Sequence, residues 1–147
     1  MRNLVMCFAV LLGSFCFYPA YAVAQESAGD ICKKNDFKTF FKFYAESAGK
    51  KQFEYVDFPL KVVGSEGNTV GRMKMNDFKD KVIFSDKEVQ SMNRKEKTAF
   101  SYHIKKYGDG YLAMWAEDNS SFTEAFLFRW KNNCWRLTEI HVNDTGV

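Results

Sequence analysis

Only two histidines, His103 and His141, occur among 147 residues, and the four cysteines, Cys7, Cys16, Cys32 and Cys134, are widely spaced. Zinc sites use short paired Cys and His spacings, so no metal is expected and no cofactor is implied. The chain has no G-x-S-x-G elbow, phosphate-binding glycine loop, H-E-x-x-H helix, dinucleotide-binding turn or EF-hand pattern. It has little excess of either charge: 21 Lys and Arg stand against 18 Asp and Glu, for a net +3. The lysines are interleaved with acids rather than gathered into a stripe, which argues against nucleic acid as a partner. Beyond residue 24 no apolar run approaches the roughly 20 residues of a membrane span. Internal repeats and low-complexity tracts are missing as well.

What is present begins with an export signature. Arg2 precedes the apolar run Leu4 to Phe17, and Pro19 precedes small-residue sites at Ala20-Tyr21-Ala22 and Ala22-Val23-Ala24. Residues 1–24 therefore read as a signal peptide, cleaved after Ala22 or Ala24, with 25–147 as a single domain in the periplasm or outside the cell. Phe15 before Cys16 and Met6 before Cys7 do not suit a lipid-anchored variant. Arg2 is the only charge in 1–24, so the remainder carries +3 less one, or +2. Cys32 and Cys134 remain after cleavage, and a pair of cysteines in an exported chain is most simply one disulfide. Closing a loop of roughly 100 residues contributes up to about 4–5 kcal/mol in the chain-entropy model.

Asn35 or Asp36 can cap a helix whose Phe37, Phe40, Phe41 and Tyr44 recur at helical spacing, with Gly49 suited to its end. From Phe53 the pattern turns to strand, and Pro59 places that strand at an edge or gives it a bulge. Gly64 to Asn68 reads as a turn, Thr69 to Met75 as a returning strand, and Asn76 to Phe84 as a short helix or irregular turn. Ser85 and Glu88 form a capping box for a helix of about ten residues from Asp86, with a thin face of Val89 and Met92. The strands Thr98–Lys106 and Tyr111–Glu117 follow, the second apolar on both faces as a central strand would be.

The strongest pairing signal is a hairpin over 121–142. Aromatic and β-branched runs flank Asn132-Asn133, and Asn tolerates the left-handed backbone of a type I′ turn. That register sets Trp130 against Trp135, Phe128 against Leu137 and Phe126 against Glu139, so only Glu139 interrupts an apolar face. A bulge near Glu139 would return Ile140 to that face. The elements together predict an α+β domain: an N-terminal helix packed on a curved antiparallel sheet, closed by the C-terminal hairpin.

The aromatic helix Phe37 to Tyr44, the Phe53-x-x-Val56-x-Phe58-Pro59-Leu60 stretch and the closing Phe128 to Ile140 run resemble the nuclear transport factor two-like, cystatin-like cone superfamily, particularly small exported bacterial domains. The resemblance implies a cone between helix and sheet that many members use as a ligand pocket, and that some use for isomerase, dehydratase or hydrolase chemistry. None of those acid–base sets maps onto this chain.

The candidate ligand-binding residues are Arg129, Arg136, His103, Trp115, Glu124 and His141; no catalytic set is assigned. Arg129 and Arg136 face each other across the hairpin and need an anion between them, either a ligand or a carboxylate such as Glu117. Each histidine could pair with Glu124, Glu139 or Asp109. Glu124 and Glu139 could sit at the rim of an apolar pocket with raised pKa values. Trp115, Tyr111 and Tyr102 could line an aromatic groove. For each residue the bland alternative is a solvated or core-packed sheet position. Three functions remain: a non-enzymatic exported binding domain for a small ligand or protein partner, an inhibitor or immunity-type protein that neutralises a toxin or hydrolase, and a hydrolase or isomerase with a His–carboxylate pair.

Overall fold

A computed structural model describes residues 31–32, 36–47, 49–78, 83–117 and 124–143, with only the backbone of Lys50. The expected signal peptide, Asn35 and the turn at 118–121 lie outside the described residues. Helix α1 spans Phe37–Glu46. Asp36 caps it, its Oδ1 accepting from the Lys38 N–H at 3.1 Å while its other oxygen accepts from Thr39. The residues buried along α1 are Phe37, Phe40, Phe41, Tyr44 and Ala45, one stripe at 3.6-residue spacing. Ser47 ends the helix by returning both its N–H and its hydroxyl to the Phe43 carbonyl.

Gly49, at φ +52°, then turns the chain into the single-turn helix α2, Lys50–Phe53. This corrects the expected start of the first strand: Phe53 ends a helix, and β1 runs Val56–Val63. Gln52 on that turn is fully buried, its Nε2 donating to the carbonyls of Tyr44 and Ile83 at 3.0 Å each, which ties the end of α1 to the segment ahead of α3. Strand β2 spans Thr69–Met73, a 3-10 turn follows at Met75–Asp77, and α3 spans Asp86–Glu96. The Ser85–Glu88 box forms in both directions, and Lys97 ends α3 in the left-handed conformation. Strands β3 (Phe100–Tyr107), β4 (Gly110–Glu117), β5 (Glu124–Lys131) and β6 (Cys134–Val142) complete the domain.

The six strands form one curved sheet in the order β2-β1-β6-β5-β4-β3. It is mixed, which corrects the expected all-antiparallel sheet: β1 pairs parallel to β6, beginning where the Leu137 N–H donates to the Tyr55 carbonyl at 2.8 Å. Parallel neighbours need a long connection, and here four strands and α3 intervene between the two. Strand β1 is therefore interior. Pro59 falls between Val56 and Lys61, where the ladder to β6 is interrupted, and before Leu60, where pairing with β2 begins, so its missing N–H costs no ladder bond.

The last hairpin turns at Asn132 and Asn133, both at positive φ, with Trp130 opposite Trp135 and Arg129 opposite Arg136. Between Leu127 and Phe128 the register shifts, leaving Thr138 as the extra residue of a bulge, its hydroxyl donating to the Leu127 carbonyl. Phe126 consequently faces Ile140 rather than Glu139, and Glu139 turns to the far side of the sheet opposite Leu127.

The core lies between α1 and the near face of the sheet. The Phe128 ring, fully buried, has centroids of Phe37, Phe40, Phe41 and Tyr44 within 5.3–6.0 Å. Phe37 also stacks on Tyr111 at 4.5 Å and meets Trp135 edge-on at 5.2 Å. Beside Trp135, Cys134 is disulfide-bonded to Cys32 across a separation of 102 residues.

Two outcomes follow for stability. Cys134→Ser should cost about 2–5 kcal/mol, the range for losing a native disulfide from a small domain; equilibrium urea unfolding with an unchanged midpoint would contradict it. The second concerns the phenols of Tyr44, whose OH is buried without a partner among the described residues, and Tyr102. Burial raises both pKa values above the usual tyrosine range. A raised folded pKa means stability is complete below the unfolded value of about 10 and is lost as pH climbs past it. Absorbance at alkaline pH should show these two tyrosines ionising only with loss of near-ultraviolet dichroism; ionisation of every tyrosine in an intact fold would refute this.

Candidate functional site

Among the described residues, two concave regions bring polar side chains together, one on each side of the sheet. On the face away from α1, the bulge at Thr138 directs Glu139 and His141 outward beside Arg129 of β5 and Lys61 of β1. Glu139 is the centre of this group. Its Oε1 accepts from Arg129 Nη2 at 3.3 Å, and its Oε2 lies 3.3 Å from His141 Nε2 and 3.6 Å from Lys61 Nζ. Arg129 Nη1 reaches Asp109 at 3.4 Å. These side chains border an open basin of about 410 Å³ closed on one side by Tyr107, whose ring stands edge-on to His141 at 6.3 Å.

The carboxylate expected between Arg129 and Arg136 is thus Asp109 and Glu139 together for Arg129, and not Glu117. Arg136 turns the other way and donates to the Glu54 carbonyl at 3.0 Å. The expected pairing of a histidine with a carboxylate occurs, as His141 with Glu139, but on the outer face. Among the described residues His103 meets only the Ser101 hydroxyl, at 3.0 Å, and it stays exposed. Glu139 spends its oxygens on the cations Arg129 of β5 and Lys61 of β1, with the His141 ring of β6 beside them, so the arrangement serves as a clamp across those strands more readily than as a free base. Lys61 was missing from the sequence reading because nothing local to β1 reveals its parallel pairing to β6.

The second region lies between α1, α3 and β3. Here a cleft of about 420 Å³ has Phe41, Val89, Tyr102 and Ile104 as its apolar surfaces. Lys38, Lys42, Glu46 and Asp86 stand at its margin, and Asn93 of α3 closes one end. The capping box places α3 alongside β3, but only Val89 of that helix is buried, so α3 touches the domain narrowly and leaves a gap. Asn93 spans the gap: its Nδ2 donates to the Phe100 carbonyl at 2.7 Å and its Oδ1 accepts from the Phe100 N–H at 3.0 Å. Nothing in the thin Val89 and Met92 face singles out Asn93; the usable signal is an Asn near a helix end shortly before a strand.

Trp115 and Glu124 belong to neither region's centre. Trp115 stacks on Phe100 at 5.0 Å and packs on Tyr102 at 4.8 Å, forming wall rather than binding surface. Tyr111 is taken up by Phe37, so the expected groove of Trp115, Tyr111 and Tyr102 is closed, and only Tyr102 reaches the cleft. Glu124 starts β5 opposite Trp115 and Val142, where its apolar surroundings raise its carboxyl pKa, in the direction expected. Neither histidine approaches it among the interactions of the described residues. No group of three or more His, Cys, Asp or Glu side chains among the described residues is arranged to hold a metal ion.

No family model matches the chain, and no curated protein does. Among solved structures, it is similar to a cystatin-like protein from Bacteroides caccae, with 15% identity, a TM-score of 0.39, and coverage of 76% of this chain and 78% of that one. It is also similar to an NTF2-like protein from Cytophaga hutchinsonii, with 11% identity, a TM-score of 0.26, and coverage of 80% and 98%.

Proposed function

We propose that the protein is an exported, non-enzymatic binding domain, a cone of helix on curved sheet whose ligand occupies the cleft between α1, α3 and β3. The observation that carries this reading is the cleft itself: about 420 Å³, with an apolar floor of Phe41, Val89, Tyr102 and Ile104 and a few polar side chains at its margin. Ligand sites have that size and that mixture, because apolar area supplies affinity while a small number of polar groups fix orientation. Export rests on the signal-like residues 1–24 and agrees with the Cys32–Cys134 disulfide.

An inhibitor or immunity role is the form this reading takes if the occupant belongs to another exported protein, a toxin or hydrolase. The hydrolase or isomerase alternative would have to use His141 and Glu139, and it is weakened by their place on the outer face and by the hold of Lys61 and Arg129 on the carboxylate.

A screen of apolar fragments by amide-detected NMR tests the reading. Shifts should cluster on Phe41, Val89, Asn93 and Tyr102. Gln90→Trp, an exposed position on the same margin, should lay an indole over the cleft and weaken binding about tenfold, or about 1.4 kcal/mol. Shifts confined to Arg129, Glu139 and His141, or no shifts anywhere, would overturn it.

A further inference from the structure

Among the described residues strand β3 is an edge, paired to β4 alone, and the cleft runs along its free side. In an antiparallel ladder, alternate residues bond to the partner strand and the residues between them point their N–H and C=O groups away. The Asn93 amide fixes which set is which: because it bonds both the N–H and the C=O of Phe100, the outward set is Phe100, Tyr102, Ile104 and Lys106. The tight turn that pairs Tyr107 with Gly110 agrees, since it places the odd-numbered residues in the bonded set. Asn93 therefore occupies the first outward position as a neighbouring strand would. Among the described residues nothing does the same for Tyr102, Ile104 and Lys106.

The charge at the margin is uneven. Lys38 and Lys42 project one helical turn apart from the first half of α1; no salt bridge within 4.0 Å holds either among the described residues, though the capping Asp36 carboxylate lies near Lys38. Lys106 lies nearby, its Nζ 4.6 Å from the Tyr111 ring that stacks on Phe37. Glu46, Asp86 and Asn93 stand toward the Phe100 end. An occupant would thus meet positive charge at one end, apolar surface along the middle and a row of unused backbone groups down one side.

We infer that the cleft takes an extended segment of a partner protein, added as a seventh strand along the free edge of β3, with acidic side chains beside Lys38 and Lys42. This rests on the binding reading above and names its occupant. Strand addition supplies affinity through main-chain hydrogen bonds, while alternate side chains of the segment enter the apolar surface of Phe41, Val89 and Ile104.

The test uses the signal-free chain and a fluorescein-labelled synthetic peptide of alternating valine and threonine that ends in aspartates. A counterpart with alternate backbone nitrogens methylated retains the side chains and removes the donors. The aspartate peptide should bind by fluorescence anisotropy and slow hydrogen exchange at the Tyr102, Ile104 and Lys106 amides, and the methylated peptide should not bind. Lys38→Glu with Lys42→Glu should weaken binding by about tenfold, the scale of a lost charge-assisted contact. Ile104→Pro removes an N–H that faces the cleft rather than β4, so it should abolish binding while Tm stays close to the parent's. If that variant does not fold, the lysine pair decides.

Equal binding of the methylated peptide, or indifference to the lysine changes, would overturn strand addition. So would a dimer in sedimentation with those three amides already protected, because the edge would then belong to a second copy. Apolar fragments that shift Phe41 and Tyr102 while no peptide binds would sink this inference alone; failure of both sinks the binding reading with it.

Discussion

The contact on which the domain depends is the seating of the Phe128 ring among Phe37, Phe40, Phe41 and Tyr44. Each of these aromatic pairs contributes about 0.5–1.5 kcal/mol beyond the area it buries, and all four use the same ring of β5. Because β5 is flanked by β4 and β6, the position of α1 is referred to the middle of the sheet and not to its margin. Tyr55 extends the arrangement to β1 by packing on Phe40 and Phe43, and the disulfide fixes Cys32, ahead of α1, to the start of β6. With the helix held there, everything on the β3 side of α1 is left with less to pack against.

The bulge at Thr138 is the second constraint, and it decides what each face can do. Without the extra residue, the alternation of Trp135 and Leu137 would carry Glu139 into the apolar space beneath α1, where an unpaired carboxylate is costly. With it, Ile140 takes that place and Glu139 is delivered to Arg129, Lys61 and His141. The bulge thus separates an apolar interior from a charged exterior within nine residues of β6. A carboxylate with about 14% of its side chain exposed and held by both Arg129 and Lys61 belongs to the structure of the sheet before it belongs to any reaction.

What could be read in advance follows the range of the interactions involved. The cap at Asp36, the Phe stripe of α1, the Ser85–Glu88 box and the Asn132-Asn133 turn are each set by residues within a few positions of one another, and each was legible. The pairing of Trp130 with Trp135 and of Arg129 with Arg136 followed from that turn. The parallel pairing of β1 with β6 leaves no local trace, because it depends on how far the intervening chain carries β1 across the sheet. The bulge could be named only as an option, since no glycine marks Thr138. The site suffered in proportion: Arg129 and His141 were found, yet their company with Lys61 needed the parallel pair, and the cleft needed the gap between two helices that share no sequence neighbourhood.

The two edges that the described residues leave open on the sheet are treated unequally, and the difference bears on function. At one end β2 is short, five residues, and largely exposed, the ordinary way to make an edge a poor template. At the other end β3 has eight residues, and its protection is partial: Asn93 occupies Phe100, Lys105 and Lys106 charge the far end, and the stretch between them carries neither device. That same stretch is bordered by apolar side chains of both helices. A helix with a fuller apolar face would have packed onto β3 and hidden it, whereas α3, with Val89 as its buried contact, stands off and meets β3 through the Asn93 amide. The weakness of α3 as a core element and the openness of the β3 edge are therefore one property, and it is the property a strand-capturing domain requires.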